Sequence, residues 1–417
     1  MISVHRLPGP LRQFLIAASC AAICGCTSTT VIDASSTPAR SVGADFTEQQ
    51  LLDVGIAIFE EGLAPNEKYL EQELIDPNVR RAEARYLAYN LRNTLERTEN
   101  WGAVRLIPRE SRAIDLMVYG EIKASTGIEL ELKIRAVDAT GETWLKKTYE
   151  DVASALSYRE EIGGDEDAFQ DIYNEIADDL LEAYLEREQK DITRIRKTAL
   201  LHFAEDIAPY AFDDYLSEGK RGSRTILKLP ADGDPMLARV EKIREREYMF
   251  VDLLDEHYKA FHKNMSEPYS DWRRYTYEEL LALRDLKRAA LATKLIGAAT
   301  VVGGIAVQNQ SQAGSAGSFA GRAAVLGGAS AVMAGFSLGS EAKMHSAAVR
   351  ELDESFRSQI DPLVVEVEGQ TTTLSGTAEE QYEEWRRLLR AIYEQETGID
   401  LEDGESEPAL PEVRFDQ

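Results

Sequence analysis

A run of uncharged residues with small side chains at every fourth position constrains this chain most. Residues 323–340 contain no charge, and Gly327, Ala331, Gly335 and Gly339 recur at intervals of four. Residues spaced by four lie on one face of a helix, so the run predicts a helix with a stripe of small side chains. Each glycine costs about 1 kcal/mol relative to alanine in a solvated helix, and close packing against another helix must compensate for that cost.

A shorter uncharged run, 295–307, precedes this one, and a polar loop over 308–321 separates the two. We predict a hairpin of two antiparallel helices over 291–345 that resembles a glycine zipper. As helices the runs reach ~20 Å and ~27 Å, against a bilayer hydrocarbon core of ~30 Å. Membrane association and packing within a soluble hairpin both remain open. The residues expected to pack this hairpin are Gly303, Gly304, Gly327, Ala331, Gly335 and Gly339.

The N-terminus has the pattern of a lipoprotein signal peptide over residues 1–25. Residues 1–12 carry two arginines and no acid, and 14–23 are apolar but too short to span a bilayer. The sequence "ICGC", which ends at Cys26, resembles the bacterial lipobox, although Cys24 stands where alanine or serine is commoner.

The resemblance implies cleavage before Cys26 and acylation of its thiol, with palmitate as an expected acyl chain. The threonine that follows implies sorting to the outer membrane, with the protein facing the periplasm. Cys20 is an alternative acceptor, and an ordinary secretory signal is an alternative to the lipobox. All three cysteines lie in this leader, so a mature chain that begins at Cys26 has no internal disulfide. Residues 26–45 are rich in serine, threonine and alanine and predict a flexible tether.

Residues 46–190 predict an α/β domain. Hydrophobic and charged residues alternate without a break over 128–136, which is typical of a half-buried antiparallel strand. Apolar spacings of three and four predict helices over 79–102 and 165–188. The predicted order is strand, helix, strand, a meander of three strands and a second helix.

This order, with the strand "DLMVYGEIK" and the alternating strand after it, is similar to a small α/β domain found in envelope proteins. That domain is shared by the curli-secretion lipoprotein, the periplasmic lipoprotein activators of peptidoglycan synthases and the N-terminal domain of the Tol-system β-propeller protein. The resemblance covers roughly residues 45–190. It implies protein–protein contact in the envelope rather than catalysis.

The rest of the chain predicts helices and a small C-terminal unit. Residues 191–290 have mostly helical periodicity, with turns expected at 217–223, 229–235 and 264–271, and a packed helical hairpin is favoured over a long coiled coil. Residues 346–400 predict a helix followed by a ββα unit, and 401–417 an acidic tail. The overall fold class is therefore α+β, an α/β sandwich-like domain with a helical middle and the ββα unit.

No catalytic residue and no cofactor is predicted, because no motif with a defined geometry is present. His257 and His262 are five residues apart, which does not place them on one helix face, so no metal site is predicted. The formal net charge of −26 disfavours nucleic acid as a partner.

These features predict a non-enzymatic outer-membrane lipoprotein that acts as a scaffold or assembly factor of a cell-envelope complex. Its expected partners are the membrane, through the lipid anchor, and an envelope protein or further copies of itself. An oligomeric pore or secretion-channel component, with the hairpin in a membrane, is the alternative. A third class is an envelope hydrolase without a visible motif.

Overall fold

The fold of this chain is α+β, as predicted. The computed structural model describes residues 36–42, 46–63, 76–108, 111–154, 157–158, 166–308, 344, 347–351, 354, 363–367 and 370–398, with the backbone alone for 283–308. A mixed sheet of five strands carries two helices on one side, and a long helix runs from this sheet domain toward the glycine-rich region.

The sheet has the strand order β2-β1-β3-β4-β5. Strand β1 is parallel to both β2 and β3, whereas the β3–β4 and β4–β5 pairs are antiparallel. Hydrophobic residues of β4 point to the buried face at every second position, and Leu130, Leu132 and Ile134 are fully buried. The strands are β1 (Val54–Ala57), β2 (Val104–Ile107), β3 (Leu116–Ser125), β4 (Glu129–Asp138) and β5 (Thr143–Val152).

Two helices, α1 (Pro77–Thr98) and α2 (Gln170–Leu185), pack side by side on this sheet. Helix α1 begins at Pro77, and the Asp76 side chain caps it by accepting from the backbone N–H of Asn78. The predicted apolar stripes of both helices are buried, which confirms the helical periodicity. These stripes are Ala84, Leu87, Leu91 and Leu95 in α1, and Phe169, Ile172, Ile176, Leu180 and Tyr184 at and within α2.

The remaining elements are helices and two-stranded hairpins. They are α3 (Gln189–Ile207), α4 (Pro209–Phe212), the two-stranded β6 (Leu216–Glu218) and β7 (Arg224–Ile226), the hairpin of β8 (Leu363–Val367) and β9 (Gln370–Leu374), and α6 (Ala378–Thr397). Helix α6 packs on α3 and on the long helix rather than standing alone. Its Trp385 is buried and stacks against Phe250 of the long helix, so α6 belongs to the core of the molecule.

The long helix α5 (Pro235–Gln308) has 74 residues and a length of about 110 Å. The turn predicted over 264–271 is wrong, because α5 continues through Pro268 without a break. A proline inside a helix removes one hydrogen bond and costs about 3 kcal/mol. Met265 and Tyr269 are both buried on either side of it, and this packing compensates for the lost bond. The single helix also crosses the boundary that the sequence placed at 290.

Candidate functional site at the exit end of the body

Helix α5 lies antiparallel to α1 along a partly polar contact. His262 Nε2 donates to Asn90 Oδ1 at 2.6 Å, and Tyr269 Oη donates to Glu83 Oε1 at 2.6 Å, so later residues of α5 meet earlier residues of α1. The His262 ring stacks on Tyr86 with centroids 4.4 Å apart. Burial lowers the pKa of His262 to about 4, so the ring is neutral near pH 7.

A buried ion pair joins α5 to the start of α2. Arg273 is 1% exposed, and its Nη1 lies 3.1 Å and 3.2 Å from the two carboxylate oxygens of Asp167. The guanidinium also lies over the rings of Tyr269 and Phe169, 4.2 Å and 4.7 Å from their centroids. Because both charges are desolvated, the pair holds α5 firmly at this one position.

The turn between β3 and β4 contacts the backbone of α5 directly. A Cβ atom on Gly127 would lie 2.3 Å from the carbonyl oxygen of Arg273 and 2.5 Å from the amide nitrogen of Tyr277, so only glycine fits here. Tyr158 Oη donates to Gly127 O at 2.7 Å and its ring lies against Tyr277. Thr276 is the last buried residue of α5 among those with described side chains. Tyr277 therefore marks the point where α5 leaves the body, by which we mean the sheet, α1–α4, α6 and α5 up to this residue.

The N-terminal segment enters the body beside this point. Ser36 Oγ donates to Glu166 Oε2 at 2.6 Å, and the backbone N–H of Thr37 donates to Asp171 Oδ1 at 2.9 Å. Glu166 is the chain neighbour of Asp167, the partner of Arg273. Ser36, the first described residue of the N-terminal segment, is thus bound beside the ion pair that holds the last part of α5 in the body.

Residues 36–42 follow α2, and part of the stretch predicted as a flexible tether is bound to the body. The backbone N–H of Arg40 donates to Asp178 Oδ1 at 2.7 Å. The buried Asn100 accepts from the N–H of Val42 at 2.7 Å and donates to the carbonyl oxygen of Arg40 at 2.8 Å. The prediction of a flexible tether is wrong for residues 36–42, because side chains of Asp178 and Asn100 form hydrogen bonds with their backbone. Composition alone does not predict such contacts. Residues 26–35 and 43–45 lie outside the described residues.

The chain returns from the glycine-rich region to the same end. Arg350 Nη2 lies 3.0 Å from Oδ2 of Asp76, the residue that caps α1, and Val349 is fully buried. Three connections therefore meet at what we call the exit end. They are Ser36 with Glu166, Asp167 with Arg273, and Asp76 with Arg350.

A small cavity lies away from the exit end, where α5 and α6 meet β1 and β2. Its volume of about 20 Å³ suits one water molecule, and this leaves no room for a substrate. Tyr382 Oη donates to Glu247 Oε1 at 2.5 Å, while Glu247 Oε2 has no hydrogen-bond partner in the described part of the chain. Polar residues that line the cavity are Asp53, Arg105, Ser111, Arg244, Glu247, Tyr248 and Tyr382.

Burial dominates the electrostatics around this cavity. It raises the pKa of Asp115 to about 6, although the N–H of Asp53 donates to Asp115 Oδ2 at 3.0 Å and Arg244 is nearby. Burial also raises the pKa of Glu247, against the opposing influence of the Tyr382 hydroxyl. Burial therefore favours the protonated form of both carboxyl groups, and Asp115 changes its charge near pH 6.

The structure describes only some of the site residues predicted from the sequence. Cys26, Gly327, Ala331, Gly335 and Gly339 lie outside the described residues, and Gly303 and Gly304 lie in the helical backbone of α5. Sequence reasoning missed Asp167, Arg273 and Arg350. Only Gly127 in its "STG" turn gave a local signal of a close contact.

The described residues hold no group of three or more metal-ligating side chains, and none of their helices is long and apolar enough to cross a membrane. No family model, curated protein or solved structure matches this chain. Its function is therefore argued from the exit end and from the sequence.

Proposed function

We propose that this chain is an outer-membrane lipoprotein that faces the periplasm, is acylated on Cys26 and acts without catalysis as a scaffold or assembly factor of an envelope complex. The observation that supports it most is the exit end. The segment that follows the lipobox, the helix that leads into the glycine-rich region and the segment that comes after that region contact the body at one end. The remaining surface of the body is then free to contact a protein.

The finer fold assignment belongs to this proposal. We assign 46–190 to the envelope α/β domain that the sequence resembles, and 291–345 to the glycine-zipper hairpin. The parallel β1 with its antiparallel meander and the two helices on one face support the first assignment. The return of Arg350 beside the exit of α5 supports the second, because a hairpin brings its two ends together.

The outer face of β4 and β5 is the surface we propose for a protein partner. Lys146, Thr148 and Glu150 of β5 are exposed, and Lys133 of β4 lies 3.8 Å from Glu121 of β3. Strand β5 is at the edge of the sheet, where its charged residues oppose pairing with a further strand. A partner would therefore bind through complementary charges on the face rather than by adding a strand.

Acylation and partner binding are tested in the same strain. Incorporation of labelled palmitate is expected for the full chain and not for Cys26→Ser. A photo-crosslinking residue at Thr148 is expected to capture one envelope protein, whereas one at the exposed Lys190 of α3 serves as the control. Absence of palmitate, or equal crosslinking from the two positions, contradicts the proposal.

A pore or secretion-channel component is the alternative, and the continuity of α5 favours it. Gly303 and Gly304 lie in the same unbroken helix that Arg273 holds in the body, so several copies would present this segment in a fixed direction. A pore predicts crosslinks between copies from this part of α5, a detergent-resistant oligomer and conductance in a planar bilayer. A scaffold predicts none of these.

A further inference from the structure

We infer that the exit end faces the bilayer that holds the acylated N-terminus, and that α5 enters the near leaflet of that same bilayer. The partner of this surface is thus a phospholipid membrane on the side of the lipid anchor, not an opposite membrane. The inference rests on the proposed acylation of Cys26.

The directions of the connecting segments carry the first step. Helix α2 is parallel to α1, because Gln170 at its start bonds Thr94, whereas Tyr184 near its end packs against Trp101, which follows α1 in the chain. Residues 36–42 run along α2 in the same sense, from Glu166 towards Asp178. Read from Arg40 back to Ser36, this segment therefore points towards the side on which α1 and α2 begin.

Helix α5 leaves in that same direction. It is antiparallel to α1, so its C-terminal part also points past the N-terminal end of α1. Arg273 and Gly127 hold its last body contacts close to Glu166. The lipid anchor and the continuation of α5 thus extend from one end towards one side, and a membrane that holds the first lies in the path of the second.

The lengths of the two segments agree. From Cys26 to Ser36 there are ten residue steps, which reach ~35 Å at most. From Tyr277 to Leu295, the first residue of the uncharged run, α5 extends ~27 Å. Ser36 is bound beside Asp167, near the level of Asn90 and His262, and so lies about 20 Å behind Tyr277 along α5. The extended tether therefore reaches the basic stretch of α5 that begins at Arg284. The run over 295–307 adds ~20 Å, enough to enter one leaflet of a ~30 Å hydrocarbon core.

The charge of the sequence changes sign where the helix would meet the headgroups. Residues 283–294 contain four basic residues and one acid, in a chain whose net charge is −26. Basic residues next to an apolar run favour an anionic lipid surface, and long basic side chains extend to the headgroups. The basic residues are Arg284, Lys287, Arg288 and Lys294.

The experiment uses the full acylated chain in vesicles of phosphatidylethanolamine and phosphatidylglycerol. The three native cysteines lie in the leader or at the acylated site, so Val301→Cys gives a unique thiol for an environment-sensitive fluorophore. Leu281→Cys, on the same helix next to the body, is the matched control. A spin-labelled quencher lipid is placed either in the vesicles that carry the protein or in added protein-free vesicles.

We expect loss of fluorescence at position 301 when the quencher is in the protein's own vesicles, and no loss at position 281. Quenching only by the added vesicles would show that α5 faces an opposite membrane and would overturn the inference. So would the absence of quenching from both. The mass of the purified mature chain reports acylation separately, so a missing acyl group would instead contradict the proposed function.

Shortening the tether tests the agreement of lengths. Deletion of residues 28–34 leaves three residue steps, about 10 Å of reach, between the anchor and Ser36. The body is then drawn to the membrane, and we expect the label at position 281 to become quenched as well. If position 281 stays unquenched in this variant, α5 does not separate the body from the anchoring bilayer, and the inference is wrong.

Discussion

The exit end and the cavity end of the same long helix hold their buried charges in opposite ways. At the exit end, Arg273 and Asp167 face each other at 3.1 Å, with the guanidinium between aromatic rings. At the cavity end, Glu247 Oε1 accepts from the hydroxyl of Tyr382, and Nε of Arg386 lies 3.7 Å from the same oxygen. One end pairs its charges at hydrogen-bond distance, whereas at the other burial outweighs the nearby arginines and raises the pKa of the carboxyl groups.

This difference teaches where α5 is held and where it responds to pH. Because both members of the Arg273–Asp167 pair are desolvated, loss of either one would leave an uncompensated buried charge, so this contact holds α5 in place. At the cavity end, burial outweighs the arginines around Asp115 and Glu247 and raises the pKa of both carboxyl groups. Asp115 therefore responds as the pH rises, whereas His262, on the contact between α5 and α1, responds as the pH falls.

The largest expected effect breaks the exit end. Replacing Arg273 by methionine leaves Asp167 buried without its cation, and we expect a loss of about 3–5 kcal/mol in the free energy of unfolding, measured by urea denaturation. The control is Arg274→Met in the next position. Arg274 is 36% exposed and pairs with Asp271, so its loss is expected to cost at most about 1 kcal/mol. Equal costs would show that the buried pair does not hold the helix.

The second effect belongs to the cavity end and concerns Asp115. Its folded pKa of about 6 lies above the usual value of 3.8, so the folded state favours the protonated form. This group's contribution to stability is greatest at low pH and is lost as the pH rises from about 4 to 6, by up to ~3 kcal/mol. Asp115→Asn is expected to remove this loss. Urea denaturation of wild type and variant at several pH values measures the difference, and parallel profiles would contradict the assignment.

The third effect has the opposite sign and lies on the contact between α5 and α1. His262 has a pKa of about 4 in the folded protein against 6.5 ordinarily, so the unfolded chain binds the proton more readily. Stability is therefore lost as the pH falls from about 6.5 to 4, by up to ~3 kcal/mol. His262→Gln keeps a hydrogen-bond donor for Asn90 without titrating, and its stability is expected to fall less over this range. The control is His257→Gln, at a partly exposed position of the same helix, and this variant should lose as much stability over this pH range as the wild type. If its loss is instead as small as that of His262→Gln, this account is wrong.

The fourth effect loosens the helix that closes the cavity end. The Thr377 side chain accepts from the N–H of Glu380, and Glu380 Oε2 accepts from the N–H of Thr377 at 2.9 Å. Thr377→Ala is expected to cost about 1 kcal/mol and to speed hydrogen exchange in the first turn of α6. Thr397→Ala, at the other end of α6, should leave that first turn unchanged. If both variants exchange alike, the capping box does not stabilise the cavity end.

Local patterns predicted the elements because local physics determines them. The alternation over 128–136 gave β4, the stripe through Leu87 and Leu91 gave α1, and the capping box of α6 could be read from Thr377 and Glu380. Pro268 misled because a proline is a local signal of a turn, whereas burial of Met265 and Tyr269 is a tertiary one.

The exit end could not be predicted for the same reason. Asp167 and Arg273 are 106 positions apart, and Asp76 and Arg350 are 274 apart, so no periodicity relates them. In a chain with 73 acidic residues, the sequence does not distinguish an acid that pairs with a buried arginine from one that faces solvent. The sequence pointed to the lipid anchor and the glycine-rich region separately, and only the fold brings their connections together.

The smallest expected effect sharpens the comparison at the tether. Asp178 accepts from the backbone N–H of Arg40, whose side chain is 53% exposed, so Asp178→Ala is expected to change the free energy of unfolding by at most about 0.5 kcal/mol. The same change frees the segment around Arg40 from α2, and trypsin should cleave after Arg40 faster. Glu182→Ala, an exposed acid on the same helix, should leave the cleavage rate unchanged. Unchanged cleavage in Asp178→Ala would mean that the other contacts, among them those of Asn100, hold residues 36–42 without Asp178.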